Sequence, residues 1–193
     1  MPQKFDIRNR HNLLAEERYE RLQPGSLLRS LGLKQGHTMA DIGCGPGFFT
    51  VPAAEIVGSR GIVLAADVQG EMLSAVKSRV TEAGLTNVRV VKTSETDVPL
   101  PPASCDMVLL AFVLDEVDQK ATFLHKVARL LKPGGRVVIL EWQPLQQEEG
   151  PPLEDRIAME RISDDAQAAG LRVSEQRELN DQHYVCVLTA AGK

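Results

Sequence analysis

The sequence has no uninterrupted apolar run of 18 residues, no signal peptide and no transit sequence. Its three cysteines, Cys44, Cys105 and Cys186, are far apart and form neither a Cys-x-x-Cys pair nor a cluster with histidine. A membrane-spanning helix needs about 20 apolar residues, and a zinc site needs closely spaced ligands. We therefore expect no membrane insertion, no metal, and a reducing cytoplasmic location in which the thiols stay free.

Positive charge is also scarce, because the net charge is −4 and no segment interleaves basic with aromatic residues. This composition predicts that nucleic acid is not a partner. The first 37 residues are an exception, since their basic residues outnumber their acidic ones by three. A solvated amphipathic helix explains that excess, and so does a patch that binds an anionic substrate.

Apolar, β-branched segments alternate with amphipathic ones through the middle of the chain, which predicts an α/β fold with a parallel sheet covered by helices. The predicted strands are Thr38–Ile42, Ile62–Asp67, Val88–Lys92, Cys105–Ala111 and 136–141. The predicted helices are Thr50–Val57, 70–83 and 119–131.

The two ends of the chain differ from this middle part. Residues 143–152 are polar and rich in proline and glycine, which predicts a loop, followed by a helix at 163–169 and strands at 172–178 and 184–189. Residues 12–31 predict one or two helices. We expect a single domain with an N-terminal helical cap (1–37), a cofactor-binding core (38–142) and a C-terminal substrate side (143–193).

Glycines at positions 43, 45 and 47 follow the first predicted strand and precede a helix. Glycines at this spacing let a ligand approach the backbone and permit positive φ in a tight turn. The acid just before them, Asp41, tells against a phosphate guest and suits an ammonium or hydroxyl group. A second acid, Asp67, ends the next strand, where doubly wound folds hydrogen-bond the ribose of a nucleoside.

A dinucleotide site requires the pattern G-x-G-x-x-G. If the pattern begins at Gly43, its third glycine position is occupied by Phe48. If it begins at Gly45, that position is occupied by Thr50. The phosphate-binding pattern G-x-x-x-x-G-K-[ST] is also missing. The loop therefore predicts a nucleotide-type cofactor other than a dinucleotide, and a nicotinamide-dependent oxidoreductase is the less favoured alternative.

The run Asp41-x-Gly43-x-Gly45-x-Gly47, followed by Asp67, resembles motifs I and II of class I S-adenosylmethionine-dependent methyltransferases. The resemblance continues through 109–117 and 130–137, and it is closer to the branch that contains ubiquinone/menaquinone-biosynthesis C-methyltransferases and arsenite methyltransferase-like proteins. It implies a Rossmann-like seven-stranded sheet in the order 3-2-1-4-5-7-6, with strand seven antiparallel and helices on both faces. The implied reaction is methyl transfer by in-line displacement, with S-adenosyl-L-homocysteine as product.

The resemblance also implies the residues that hold the cofactor. Asp41 and the glycine backbone would bind the methionine half, and Asp67 would accept both ribose hydroxyls. Many relatives carry aspartate where Ser94 stands, so Glu95 or Asp97 is the alternative contact for the adenine amino group. The full implied set is Asp41, Gly43, Gly45, Gly47, Asp67, Val68, Ser94, Glu95, Ala111 and Phe112.

The acceptor side offers only candidates. The catalytic candidates are His183, Tyr184 and Asp115, for which surface exposure, packing or helix capping are the alternatives. Trp142 either lines the pocket or packs in the core, and Arg156 either binds an anion or forms a surface salt bridge. His11 and Asn12 are candidates for a cap over the site. We expect a small-molecule acceptor and a monomer or homodimer, and a non-catalytic cofactor-binding or partner-binding subunit is the other alternative.

Overall fold

The computed structural model describes residues 12–94 and 97–192. The strands are β1 (Thr38–Ile42), β2 (Ile62–Asp67), β3 (Val88–Lys92), β4 (Cys105–Ala111), β5 (Leu131–Trp142), β6 (Leu171–Glu178) and β7 (His183–Ala190). The helices are α1 (Glu16–Leu22), α2 (Pro24–Ser30), α3 (Thr50–Val57), α4 (Gly70–Glu82), α5 (Lys120–Ala128) and α6 (Met159–Ala168). No described helix is long and apolar enough to cross a membrane.

All seven strands belong to one sheet, in the order β3-β2-β1-β4-β5-β7-β6. The first five pair in parallel, whereas β7 runs antiparallel to both β5 and β6. The strand order and the single antiparallel strand that the family resemblance implied are confirmed. Because parallel strands end at one edge of a sheet, the loops that follow β1, β2 and β4 lie side by side there.

Helices cover both faces of this sheet, as predicted. The apolar side chains of α2 and α3 pack with Met39 of β1 on one face, and α4 packs beside them through Val76. On the other face, α5 and α6 pack against Ala40 and its neighbours. Met39 and Ala40 are both fully buried although they point to opposite faces. Such central strands read as continuous apolar runs, which is why the sequence pattern located them well.

The bounds predicted for β1 to β4 agree with the structure, but β5 begins five residues earlier than the predicted 136–141. Its first residue pairs with Cys105, and the register then skips, so that 132–135 bulge out of the ladder. Gly134 has φ +79° in this bulge. Lysine, proline and two glycines, at 132–135, are typical of the end of a helix. The sequence pattern therefore did not show that β5 begins before them and continues after the bulge.

The predicted helix at 119–131 ends earlier, at Ala128, because the following turn leads directly into β5. The predicted helix at 163–169 begins earlier, at Met159. Ala158 precedes it as the N-cap and has no capping side chain to mark the start. The prediction of one or two helices within 12–31 is confirmed, since two form there, and so is the irregular segment 143–152.

Strand β7 extends one residue beyond each end of its predicted range, and its residues alternate between the two faces. Tyr184 points to the α5 and α6 face, where it is fully buried and its hydroxyl donates a 2.6 Å hydrogen bond to the Ile157 carbonyl. Burial raises the pKa of Tyr184. His183 points the other way, so the two neighbouring candidates do not share a site.

We predict that Tyr184→Phe lowers the free energy of unfolding by about 1–2 kcal/mol, because it leaves the Ile157 carbonyl buried without its donor. The measurement is chemical denaturation. Tyr19→Phe is the matched control. It should lose less stability, because the Tyr19 hydroxyl is partly exposed and water can replace it. Equal losses in the two variants would show that the Ile157 hydrogen bond is not the reason.

Candidate functional site

The loop after β1 is shaped by its three glycines, which have φ of +74° at Gly43, +52° at Gly45 and +90° at Gly47. A Cβ atom added at Gly43 would lie 2.3 Å from Val113 Cγ2, and one added at Gly47 would lie 2.7 Å from Val76 Cγ2. Both positions therefore require glycine for packing as well as for backbone conformation. Gly45 has more room, since its nearest neighbour would be 3.6 Å away.

The N–H groups of this loop are already used inside the protein. Those of Gly43 and Cys44 both donate to the Ala66 carbonyl, at 2.7 and 3.0 Å, and that of Gly47 donates to the Cys44 carbonyl at 3.0 Å. The Gly45 N–H donates to the Asp67 carboxylate at 2.9 Å. A phosphate cradle needs such groups free to point at the ligand. The N–H groups of Gly43, Cys44, Gly45 and Gly47 are therefore not free to point at a pyrophosphate in this conformation.

Asp67 ends β2 directly opposite the glycine loop, and only 8% of its surface is exposed. One carboxylate oxygen accepts the Gly45 N–H, and the other accepts the Gln69 N–H at 2.8 Å. Burial raises the pKa of Asp67, while these hydrogen bonds and Lys92 oppose the rise. Each carboxylate oxygen can accept a further hydrogen bond, so Asp67 keeps the capacity to bind hydroxyl groups.

Asp41 lies in β1 with 2% of its surface exposed, and its carboxylate accepts a 2.6 Å hydrogen bond from the Thr50 hydroxyl. Burial raises its pKa to about 7, although the Thr50 bond lowers it. The Asp67 charge adds to the rise. Thr50 begins α3, so this hydrogen bond ties the helix that follows the glycine loop to the strand that precedes it.

The other residues implied for the adenine side follow β2 and β3. The Val68 carbonyl accepts a hydrogen bond from the Lys92 ammonium. Ser94 and Asp97 close a turn through two hydrogen bonds of 3.0 Å. The Ser94 N–H donates to the Asp97 carbonyl, and the Asp97 N–H donates to the Ser94 hydroxyl. Glu95 lies outside the described residues.

Beyond β4 and β5, three rings form an aromatic cluster, which consists of Phe112, Trp142 and His183. The centroid distances are 5.8 Å between Phe112 and Trp142, 5.1 Å between Phe112 and His183, and 4.3 Å between Trp142 and His183. Phe112 follows Ala111 at the end of β4 and has φ +59°, which is strained for an aromatic residue. The cluster lies at the edge of the sheet that also carries the glycine loop, because β7 is antiparallel and begins there.

Asn180 determines which ring nitrogen of His183 carries the proton. Its side-chain oxygen accepts the backbone N–H groups of Gln182 and His183, at 3.0 and 2.9 Å, and lies 3.0 Å from His183 Nδ1. Nδ1 must therefore carry the proton, which leaves Nε2 with its lone pair. Burial, with Arg18 and Arg21 nearby, lowers the pKa of His183 to about 3, so the ring is neutral at physiological pH.

The candidate Asp115 lies in a 3₁₀ turn after β4 and accepts the backbone N–H of Glu116 at 3.1 Å. Burial raises its pKa. The buried Glu141 carboxylate accepts the N–H groups of Val113 and Leu114, at 3.2 and 2.9 Å, in the same turn. These contacts favour the capping alternative for Asp115 and give Glu141 the task of holding the turn.

The loop 143–152 folds over the aromatic cluster and is held by Arg156. The guanidinium donates to four carbonyls of this loop and its ends, at 2.6–3.2 Å, and lies 5.5 Å from the Trp142 ring centroid. Gly150 lies against the Trp142 ring, where a Cβ atom would be 2.7 Å from it. Within 12–94 and 97–192, Arg156 pairs with no carboxylate and instead donates to backbone carbonyls, and Trp142 lies at the boundary between site and loop.

Sequence reasoning missed the contribution of α1. Arg18 lies over the Phe48 ring, and Tyr19 packs against that ring with a centroid distance of 4.4 Å. Arg79 of α4 donates to the Tyr19 hydroxyl and to the Pro46 carbonyl, at 2.8 and 3.1 Å, so it joins α1 to the glycine loop. The basic excess of the first 37 residues was the available signal, but nothing in it singled out Arg18.

The sequence also singled out His11, Asn12 and the three cysteines. Asn12 is exposed, and His11 lies outside the described residues. Cys44, Cys105 and Cys186 are buried free thiols. Within 12–94 and 97–192, no group of three or more His, Cys, Asp or Glu residues is arranged to hold a metal ion.

Comparison with known proteins matches residues 8–150 to the model of the ubiE/COQ5 methyltransferase family. A ubiquinone/menaquinone biosynthesis C-methyltransferase UbiE from Marinomonas sp. is 32% identical over 146 residues, which are 75% of this chain and 57% of that protein. The one from Azotobacter vinelandii is 36% identical over 112 residues, 58% of this chain and 44% of that protein. The chain thus spans about half the length of these relatives.

Among solved structures, a SAM dependent methyltransferase from Aquifex aeolicus superposes with a TM-score of 0.92 at 31% identity, over 97% of this chain and 100% of that one. The [4+2]-cyclase SpnF superposes with a TM-score of 0.77 at 15% identity, over 100% of this chain and 87% of that one, which is a likeness of fold alone. The resemblance inferred from the motifs is confirmed. Since the family model covers well over half of its residues, the chain belongs to the ubiE/COQ5 methyltransferase family.

Proposed function

We propose that this chain is an enzyme that binds S-adenosyl-L-methionine at the carboxyl edge of β1, β2 and β4 and transfers its methyl group to a small-molecule acceptor. The observation that carries the proposal is the hydrogen bond from the Gly45 N–H to the Asp67 carboxylate. This hydrogen bond joins the glycine loop to Asp67, the two motifs by which the family binds its cofactor. It also occupies the Gly45 N–H, a donor that a bound phosphate would need. Family membership and the Aquifex aeolicus structure support the same cofactor.

The residues present fit this cofactor. Asp67 has lone pairs left for the ribose hydroxyls, and Val68 and the Ser94 turn lie on the adenine side. Asp41 and the glycine backbone meet the methionine half, while Ala111 and Phe112 border the position of the sulfonium. When bound, the cofactor supplies an activated methyl group, so the protein mainly has to align the acceptor with it.

The aromatic cluster defines the acceptor side. The Phe112, Trp142 and His183 rings offer flat surfaces next to the methyl position, which suits an acceptor with an unsaturated ring. The names of the UbiE relatives, which refer to quinone biosynthesis, support such a ring. His183 Nε2 can accept a hydrogen bond from a hydroxyl on it, but a pKa of about 3 makes this nitrogen a weak base. His183 therefore orients the acceptor.

We also expect the chain to act as one domain, as a monomer or homodimer, in a reducing cytoplasmic compartment. The single sheet that contains all seven strands supports the first expectation. The three buried free thiols support the last.

We predict that Asp67→Asn lowers methyl transfer at least about 100-fold and weakens S-adenosylhomocysteine binding at least about 10-fold, because it removes a charged acceptor of the ribose hydroxyls. Methyl transfer is measured as label passing from methyl-labelled S-adenosylmethionine to hydroxylated ring compounds. Binding of S-adenosylhomocysteine is measured by calorimetry. Asp106→Asn is the control, because Asp106 pairs with Lys132 at the opposite edge of the sheet.

Unchanged binding and transfer in Asp67→Asn would contradict the site. Wild-type protein that binds the cofactor but labels no small molecule in a cell extract would favour a non-catalytic subunit. Label in protein or nucleic acid would contradict the acceptor class.

A second prediction concerns pH. Because the pKa of Asp41 is raised to about 7, the folded protein keeps a proton that the unfolded chain releases near pH 4, so stability falls as pH rises from about 4 to about 7. Asp41→Asn keeps an acceptor for Thr50 and carries no charge. The ligand-free variant should therefore be more stable than wild type at pH 8, by at most about 4 kcal/mol, and should lose more than half of this advantage at pH 5.

The measurements for Asp41→Asn are thermal unfolding between pH 5 and pH 8 and calorimetric binding of S-adenosylhomocysteine, which should weaken. Asp106→Asn is the control of opposite sign, because hydrogen bonds from Lys132 and Thr38 lower the pKa of Asp106. That variant should be less stable than wild type at pH 8. An Asp41→Asn variant destabilised equally at both pH values would contradict the assignment.

A further inference from the structure

The turn that follows β4 lies between the glycine loop and the aromatic cluster. Phe112, the first residue of this turn, belongs to the cluster and has φ +59°. Such a conformation is strained for an aromatic residue and persists only where the surrounding structure holds it. Val113, the next residue, packs on the glycine loop, since a Cβ atom added at Gly43 would lie 2.3 Å from Val113 Cγ2. One short turn therefore contacts both the cofactor loop and the acceptor side.

Three successive N–H groups of this turn are held by two neighbouring residues of β5. The Phe112 N–H donates to the Leu140 carbonyl at 2.8 Å. The N–H groups of Val113 and Leu114 both donate to one oxygen, Oε1 of Glu141, at 3.2 and 2.9 Å. The first bond joins two backbone groups and is independent of side-chain identity. The Glu141 carboxyl group is therefore the part of this arrangement that a substitution can remove.

Glu141 holds the turn from the structural side of the sheet. Only 1% of its surface is exposed, and it lies directly opposite Tyr184 in the ladder between β5 and β7. Trp142, the next residue, points to the other face and belongs to the aromatic cluster. Burial, with the Asp115 carboxylate nearby, raises the pKa of Glu141 and favours the neutral acid. The carbonyl oxygen of the neutral acid still accepts both hydrogen bonds.

We propose that Glu141 is a positioning residue for methyl transfer, because its carboxyl oxygen fixes the turn on which Phe112 holds the acceptor in line with the methyl group. This assignment rests on the proposed function. In-line displacement requires the acceptor atom, the methyl carbon and the sulfur to be aligned, and a displacement of about 1 Å can cost on the order of 100-fold in rate. Without Glu141, two buried N–H groups lose their acceptor, so the turn rearranges to satisfy them and Phe112 leaves its strained conformation.

Cofactor binding should depend much less on Glu141, because the glycine loop has hydrogen bonds of its own. The Cys44 N–H donates to the Ala66 carbonyl at 3.0 Å, and the Gly45 N–H donates to the Asp67 carboxylate at 2.9 Å. Neither bond involves the turn after β4. Loss of the turn should therefore lower the rate of transfer and leave the affinity for S-adenosylhomocysteine nearly unchanged. A residue that only stabilised the fold would not separate these two quantities.

The test compares three substitutions of Glu141 in the full chain. Glu141→Gln keeps the oxygen and its reach but not the charge, Glu141→Asp keeps the charge but is one methylene shorter, and Glu141→Met removes the acceptor at similar size. We expect kcat to fall less than about threefold in Glu141→Gln, at least about tenfold in Glu141→Asp and about 30- to 100-fold in Glu141→Met. The affinity for S-adenosylhomocysteine should stay within about threefold of wild type in all three, because the glycine loop is intact.

Transfer of label from methyl-labelled S-adenosylmethionine to two acceptor probes, hydroquinone and catechol, gives kcat and KM, and calorimetry gives the affinity for S-adenosylhomocysteine. Tyr184→Phe is the matched control, because Tyr184 is buried opposite Glu141 and its hydroxyl also bonds to the backbone, at the Ile157 carbonyl. This control should have a lower thermal midpoint than wild type, with kcat within about twofold of it.

Three results would overturn the assignment. Wild-type kcat in Glu141→Met, with a lowered thermal midpoint, would show that Glu141 only stabilises the fold. An active Glu141→Asp beside an inactive Glu141→Gln would show that charge matters rather than position. S-adenosylhomocysteine binding that weakens as much as kcat falls would place the effect on the cofactor loop.

If Glu141→Met does not fold, the relative activities of Glu141→Gln and Glu141→Asp decide between position and charge. Wild-type protein that binds S-adenosylhomocysteine but labels neither probe would instead refute the proposed acceptor class. Because that result concerns the wild type and the others concern the variants, the two failures are distinguishable.

Discussion

The hydrogen bond from the Gly45 N–H to the Asp67 carboxylate connects the loop after β1 with the end of β2, and the rest of the site depends on it. It exists because Gly45 adopts φ +52° and because Asp67 is buried at the end of its strand. The N–H groups of Gly43, Cys44 and Gly47 donate to carbonyls, so these donors are not free for a phosphate. The carboxylates of Asp41 and Asp67 suit hydroxyl and ammonium groups, and on this basis we propose that the site takes a nucleoside joined to an amino acid.

The sheet separates this chemistry from the structural core. On the face covered by α5 and α6, Tyr184 and Glu141 are buried and satisfied by backbone groups, so their polar atoms serve the fold. On the other side and at the carboxyl edge lie Arg18, Phe112 and His183, where the Arg18 guanidinium lies over the Phe112 ring and that ring contacts His183. The alternation of side chains along β7 places His183 and Tyr184 in these two different environments.

The sequence predicted most of the fold, because β1 to β4 are short segments rich in apolar and β-branched residues, and because glycines follow β1 and an acid ends β2 at a spacing with a direct physical meaning. It predicted β5 and α6 less well, since a bulge that contains Gly134 looks like a helix end and Ala158 offers no cap. The cofactor side was similarly accessible, because Asp41, the glycines and Asp67 are close in sequence or at a known spacing. Arg18, Tyr19 and Arg79 meet only through tertiary packing, and no local pattern marks them. His183 could be named as a candidate, but its tautomer depends on Asn180 and its neutral state on burial and the nearby arginines, which only the structure shows.

The central claim is that the glycine loop and Asp67 form a site for a nucleoside without phosphate. The most direct measurement is calorimetric titration of the purified protein with S-adenosylhomocysteine and, separately, with NAD⁺. We predict that S-adenosylhomocysteine binds at one site per chain and at least about 100-fold more tightly than NAD⁺, because the N–H groups of Gly43, Cys44, Gly45 and Gly47 are already bonded inside the protein and a pyrophosphate would need such donors free. Comparable binding of NAD⁺, or binding of NAD⁺ alone, would contradict it.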